Sequence, residues 1–158
     1  MSAILENPHL AGTHSEDEAD DLRLVFRAHT LVKRLVNQTM LSSLGISLSH
    51  GSALLHLARS PEVSCQELAQ LLGCGTSRIS RLIQELEKRR LVESHRGGTD
   101  RRVLQLSLTP NGAALACRVP TVLRDAELMT FSVLPDDDRQ CLVKFMSRIV
   151  SNLNRFSE

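Results

Sequence analysis

SCQELAQLLGCGTSRISRLIQELEKRR, residues 64–90, is the stretch that decides the fold. Its opening Ser64-Cys65-Gln66-Glu67 has the S-x-x-E form of a capping box, in which the serine and glutamate side chains satisfy each other's unpaired amides at a helix start. This predicts a helix running to about Leu72. Gly73-Cys74-Gly75 then supplies a short turn, and residues 76–90 contain neither Gly nor Pro and read as a second helix. Two helices joined by such a turn make a helix-turn-helix. At about 100° per residue, Ile79, Leu82, Ile83 and Leu86 cluster on the side that packs inward. Opposite them lie Ser77, Ser80, Arg81, Gln84 and Lys88, with Glu85 and Glu87 on the two flanks. Hydroxyls, an amide and cations without a central acid are groups able to face phosphates and base edges.

Downstream, the period changes to two: Leu104, Leu106 and Leu108 alternate with Val103, Gln105 and Ser107, and Gly97-Gly98-Thr99-Asp100 supplies a loop, so residues 91–108 read as a hairpin. Asp100, Arg101 and Arg102 follow the loop glycines directly. An arginine there can enter the narrow, electronegative minor groove, with Asp100 orienting it. Upstream, Leu24, Ala28, Leu31, Leu35, Val36, Met40 and Leu44 recur at helical spacing, with Asp20 and Asp21 at the positive end. Gly45 stops that helix, Ser49 is the expected cap of the next, and Pro61 ends it. Thr109-Pro110 opens a fifth helix that Pro120 should kink or split, and Pro135 with three following acids opens a sixth, striped by Leu142, Phe145, Met146, Ile149 and Leu153. The expected fold class is mainly α with a small β-hairpin wing, a winged helix-turn-helix.

The 158-residue chain carries 19 Lys and Arg against 18 Asp and Glu, but the balance hides a segregation. Residues 1–21 hold Glu6, Glu16, Asp17, Glu18, Asp20 and Asp21 with no Lys or Arg, whereas the middle gathers Arg78, Arg81, Lys88, Arg89, Arg90, Arg96, Arg101 and Arg102. An acidic, polar start is the opposite of a signal peptide, and no apolar run approaches the roughly 18 residues that span a bilayer. A cytoplasmic protein with no membrane partner is expected. Cys65, Cys74, Cys117 and Cys141 are scattered, without a CxxC pair or a His at zinc-ligand spacing, so neither a metal nor a cofactor is expected. There is no Walker motif, dinucleotide glycine fingerprint, HExxH or nucleophile elbow, which argues against an enzyme.

The polar face divides by chemistry. Arg81 has a planar fork suited to guanine, and Gln84 can pair with adenine. Thr76, Ser77 and Ser80 are short enough to let the backbone approach, where helix-start amides can meet phosphate. Lys88 and Arg89 belong along the DNA backbone or in solvent. Gly75 occupies the cap position, a weaker choice than serine. The competing readings are a winged-helix module that binds protein without DNA, which would show little salt dependence, and a thiol-redox-responsive repressor, for which Cys74 at the helix start is the candidate.

Leu68-Ala69-Gln70-Leu71-Leu72, Ser80-Arg81-Leu82-Ile83-Gln84-Glu85-Leu86-Glu87, Asp100-Arg101-Arg102 and Leu108-Thr109-Pro110-Asn111-Gly112, in this order and spacing, resemble the MarR family of multiple antibiotic resistance regulators. The resemblance implies an obligate homodimer made by the first and last helices, with two winged lobes on a palindromic operator in double-stranded DNA. It implies repression relieved by a small-molecule effector, commonly an aromatic carboxylic acid, or by thiol oxidation. It also makes Asp100 and Arg102 the wing pair. On this reading the chain divides into an acidic tail (1–19), a dimerisation helix (20–47), the winged helix-turn-helix (48–109) and C-terminal dimerisation helices (110–158). Where the family usually has glycine at the end of the recognition helix and arginine at the start of the next strand, this chain has Arg90 and Ser94, which predicts a different helix exit and an altered acid site. His29, His50 and His56, on the first two helices, are the polar candidates to line an effector pocket.

Overall fold

The computed structural model describes residues 16–60, 63–96 and 104–156. The expected order is present: α1 (Glu16–Leu44), α2 (Leu48–Arg59), β1 (Val63–Ser64), α3 (Cys65–Leu71), α4 (Thr76–Lys88), β2 (Val92–Arg96), β3 (Leu104–Leu108), α5 (Pro110–Phe131) and α6 (Asp136–Asn154). The strands form one antiparallel sheet in the order β1-β3-β2. The two-residue β1, paired Val63 to Leu106 and Ser64 to Gln105, is too short to leave a periodic signal in the sequence. No helix among the described residues is long and apolar enough to cross a membrane.

Two compact units are distinguished, Met1–Arg34 and Leu35–Glu158. In the first, α1 exposes Leu22, Leu24, Val25, Phe26, Leu31 and Val32. In the second, Met40, Ile46, Leu54, Leu68, Ile79, Leu86, Leu106 and Val119 are fully buried and draw the end of α1, α2 to α5 and the sheet into one core. Each such side chain contributes roughly 1.5–3 kcal/mol through removal from water. Helix α6 buries no residue and exposes Val143, Phe145, Met146, Ile149, Val150 and Leu153.

Local signals set most of the helix ends. Ser64 Oγ accepts from Glu67 N–H at 3.2 Å while Glu67 Oε2 accepts from Ser64 N–H at 2.8 Å, the capping box in full. The Ser64 backbone N–H and, at 2.7 Å, the Ser64 hydroxyl both donate to Glu67 Oε2, and these two bonds hold the Glu67 carboxyl below the usual carboxylate range. The cap of α2 is Ser47 and not Ser49: Ser47 Oγ accepts from His50 N–H at 3.3 Å, and Leu48 N–H donates to Asn37 Oδ1 at 3.0 Å. Asn37 lies on α1, so a contact across the helix corner selects between two serines that are equivalent to a local rule.

Nor does Pro120 split α5, which runs unbroken from Pro110 to Phe131. Proline inside a helix costs about 3 kcal/mol. Ala116, Val119, Val122 and Ala126, all buried, hold the two halves of α5 to the same core and offset that cost.

Candidate nucleic-acid interface

Helices α3 and α4 are joined by a tight turn whose form follows from hydrogen bonding. Gly73 N–H bonds Gln70 C=O at 3.1 Å and Cys74 N–H bonds Ala69 C=O at 3.0 Å, with Gly73 at φ +60°. This is a Schellman end, and its left-handed residue is a glycine, which adopts that backbone without a Cβ clash. Helix α4 then starts at Thr76 with Gly75 as N-cap and no side-chain cap bond, as expected.

The far end of α4 repeats the motif with a different residue. Arg90 N–H bonds Glu87 C=O at 2.8 Å, Leu91 N–H bonds Leu86 C=O at 3.0 Å, and Arg90 stands at φ 56°. The different exit expected from an arginine here does not occur. Arg90 takes the left-handed backbone itself, at a cost of roughly 1–2 kcal/mol. Burial of Leu86 and Leu91, the hydrophobic contact of such an end, and bonding of Arg90 C=O to Thr109 Oγ1 at 2.7 Å offset it.

With both ends fixed, the working face of α4 is set by its buried side, Ile79, Leu82, Ile83 and Leu86. Ser77, Ser80, Arg81, Gln84 and Lys88 are exposed together on the opposite side, and Thr76 is exposed at the helix start. Ser80 Oγ donates to Thr76 C=O at 3.0 Å, which leaves its oxygen open as an acceptor. Ser77, Arg78 and Arg81 line a cleft with Ser47, Ser49 and His50 of α2 and with Leu82 and Glu85. The sequence does not mark Arg78, Ser47 or Ser49 as site residues. Arg78 had a signal, one turn before Arg81, but the two serines reach the cleft only through the packing of α2 on α4.

Both flanking acids are engaged. Glu85 Oε2 accepts from His50 Nε2–H at 2.9 Å, and His50 Nδ1 lies 2.6 Å from Ser47 Oγ. Glu87 Oε1 accepts from Ser94 Oγ at 2.5 Å. Arg89 does not run along the polar face: its Nη2 donates to Gly45 C=O, just past the end of α1, at 2.7 Å. Burial, and secondarily the negative charge of Glu87, pushes the Cys65 thiol above its ordinary range.

Of the remaining sequence candidates, His56 is half-buried on α2 and His29 is exposed on α1 within the Met1–Arg34 unit. Cys74 is half-buried at the turn. Asp100, Arg101 and Arg102 lie outside the described residues; strands β2 and β3, which lead to them, pair from Val92–Leu108 to Arg96–Leu104. Leu106 faces the core and Leu108 is half-buried, as the alternation predicts, while Leu104 is exposed.

Residues 44–103 match the model of the MarR family, a span that takes in the whole helix-turn-helix and β2 and ends just before β3. The chain is 29% identical over 133 residues to the transcriptional repressor MprA of Escherichia coli K12, covering 82% of this chain and 76% of that one. Among solved structures it superposes on the reduced form of E. coli MarR with a TM-score of 0.74 at 22% identity, over 80% of this chain and 93% of the other. It superposes on Bordetella bronchiseptica BpsR, solved in a study of how 6-hydroxynicotinic acid regulates its DNA binding, with a TM-score of 0.74 at 21% identity, over 88% and 98%. These structural likenesses show a shared fold, and the family match falls on the helix-turn-helix and the strand β2 that follows it. Over residues 44–103 the chain is similar to the MarR family of transcriptional regulators, and it shares the fold of E. coli MarR.

Proposed function

We propose that this regulator is a ligand-responsive, sequence-specific DNA-binding repressor that acts as a homodimer on a palindromic operator and leaves it when a small acid binds. One observation carries the DNA reading: α4 presents Ser77, Ser80, Arg81, Gln84 and Lys88 on an exposed face from which both neighbouring carboxylates are drawn aside by His50 and Ser94. Arg81 and Gln84 read base edges, Thr76, Ser77, Ser80 and Lys88 meet phosphates, and the wing residues Asp100, Arg101 and Arg102 reach the minor groove. The dimer is supported by two apolar faces, each too extensive for a lone surface helix. One is Leu22, Val25 and Phe26 on α1, and the other is Phe145, Met146, Ile149 and Leu153 on α6.

A dimer sets its two recognition helices at the spacing of one DNA turn, roughly 34 Å, to enter successive major grooves. An effector that lowers operator affinity binds the DNA-incompetent dimer more tightly, by linkage. The regulated DNA binding of BpsR supports a small acid as its class. His56 is the proposed donor to its carboxylate on α2, and His29, on its own face of α1, is a separate candidate.

Duplex binding over a salt series tests the reading. Affinity should fall steeply with a slope set by the neutralised phosphates, whereas a flat response would overturn the DNA reading and favour the protein-binding alternative. Arg102→Ala should weaken binding without unfolding the dimer, and Arg81→Ala should also relax sequence preference by about 1–3 kcal/mol per base pair read.

A further inference from the structure

Helix α4 carries its own competitor for DNA. Arg81 and Glu85 are four residues apart, one turn along the same helix, the spacing at which opposite charges pair. A guanidinium held by its neighbour's carboxylate presents fewer donors to a base, and a carboxylate left on that face repels phosphate. Yet Arg81 makes no hydrogen bond or ion pair among the described residues, and Glu85 is bonded instead to His50, 35 positions away. The His50 side chain is only 14% exposed against 61% for Glu85, so the histidine is the fixed member of the pair. It is fixed by Ser47, whose hydroxyl lies 2.6 Å from Nδ1 and also accepts the His50 backbone N–H. One cleft brings together every group involved: Arg78, Arg81 and Glu85 from α4, and Ser47, Ser49 and His50 from α2.

We propose that His50 is a positioning residue for DNA recognition: oriented by Ser47, it holds the Glu85 carboxylate away from Arg81 and so leaves the Arg81 guanidinium free to engage DNA. The inference rests on the DNA-binding reading, and it assigns His50 a role in which both ring nitrogens are used within the protein. The arginine precedes the acid along the helix, the weaker order for such a pair, which helps an outside partner win the carboxylate.

The test uses the full-length protein and duplexes that the wild type selects from a random-sequence pool. His50→Ala should lower affinity about tenfold, and His50→Ala with Glu85→Gln should restore it, because the freed carboxylate is then gone. A purely structural role for His50 would leave that loss unrescued. Glu85→Asp, at an exposed position where folding is not at issue, keeps the charge but shortens the reach to His50; it should lower affinity where Glu85→Gln does not. In an Arg81→Ala background His50→Ala should cost nothing further.

A readout without DNA is the Arg81 Nε–H resonance, which should shift in Glu85→Asp and in His50→Ala and return in the double variant. Wild-type affinity in both His50→Ala and Glu85→Asp, failure of the rescue, or an Arg81 resonance indifferent to all three changes would each overturn the proposal. A wild-type protein with no salt-dependent duplex binding would overturn the functional reading instead, and the Arg81 resonance would still decide whether Glu85 is held from it.

Discussion

Gly112→Ala probes the footing under the end of α4, the proposed recognition helix. A Cβ built on Gly112 falls 1.8 Å from Leu91 O and 2.8 Å from Leu91 C. Carbon and carbonyl oxygen approach to about 3.3 Å, so the first turn of α5 must retreat by about 1.5 Å or the carbonyl must turn. It is not free to turn, because Leu91 C=O accepts Thr109 N–H at 3.1 Å and Leu91 N–H closes the end of α4 on Leu86 C=O at 3.0 Å. A retreat of that size breaks the Thr109 N–H bond and the Thr109 Oγ1 bond to Arg90 C=O, each a net contribution of about 1 kcal/mol. Strain from overpacking adds about 2 kcal/mol, and the better helix propensity of alanine returns up to about 1 kcal/mol. The expected loss is therefore about 3 kcal/mol.

Urea unfolding at fixed protein concentration, which keeps the comparison valid for the proposed dimer, should show a lower midpoint with an unchanged slope. Gly73→Ala is the comparator: it meets no atom within 4 Å but stands at φ +60°, and should cost only the left-handed penalty of about 1–2 kcal/mol. Stability of Gly112→Ala equal to wild type, or a smaller loss than Gly73→Ala, would refute the reasoning, since α5 could then slide from β2 at no cost. Because Arg90 and Leu91 form the exit of α4, the same variant should also lose duplex affinity.

Arg89→Met removes the bond to Gly45 C=O, where carbonyls beyond the end of α1 concentrate negative partial charge; on an exposed side chain this should cost about 1 kcal/mol or less. Unchanged stability with a salt slope reduced by one phosphate would instead make Arg89 a DNA contact. Glu67, whose carboxyl is held low by Ser64, contributes stability above its unfolded titration range that is lost as pH falls through the lower folded value. Glu67→Gln should flatten that acid limb of the unfolding profile, and identical limbs in the two proteins would count against the capping box.

What was legible in the sequence is what neighbouring residues decide. The Ser64–Glu67 box, the Gly73 turn and the buried stripe of Ile79, Leu82, Ile83 and Leu86 follow from spacing alone, and each is present. What was not legible depends on partners distant in the chain. Ser47 was preferred to Ser49 because Asn37 of α1 binds the adjacent Leu48 amide. Arg90 was read as a departure from a glycine, whereas Thr109 and the buried Leu86 and Leu91 hold it in the glycine's backbone. The pairings of His50 with Glu85 and of Arg89 with Gly45 span 35 and 44 positions, beyond any helical or strand period.

Those two long-range bonds and the shorter Ser94–Glu87 bond share one property: each grips α4 from outside the helix-turn-helix. His50 holds its middle from α2, Gly45 beyond the end of α1 receives Arg89 at its end, and Ser94 of β2 holds Glu87 from the hairpin side. None of the three uses a residue of the polar face. A displacement of the end of α1 or of α2 therefore reaches α4 through its flanks while Ser77, Ser80, Arg81 and Gln84 stay free, so orientation relative to DNA can change without any contact residue being occupied. Arg89 and His50 each tie α4 to a neighbouring segment, Gly45 beyond α1 and α2 itself, so on the proposed reading an effector-driven shift of those helices would be transmitted through these two side chains.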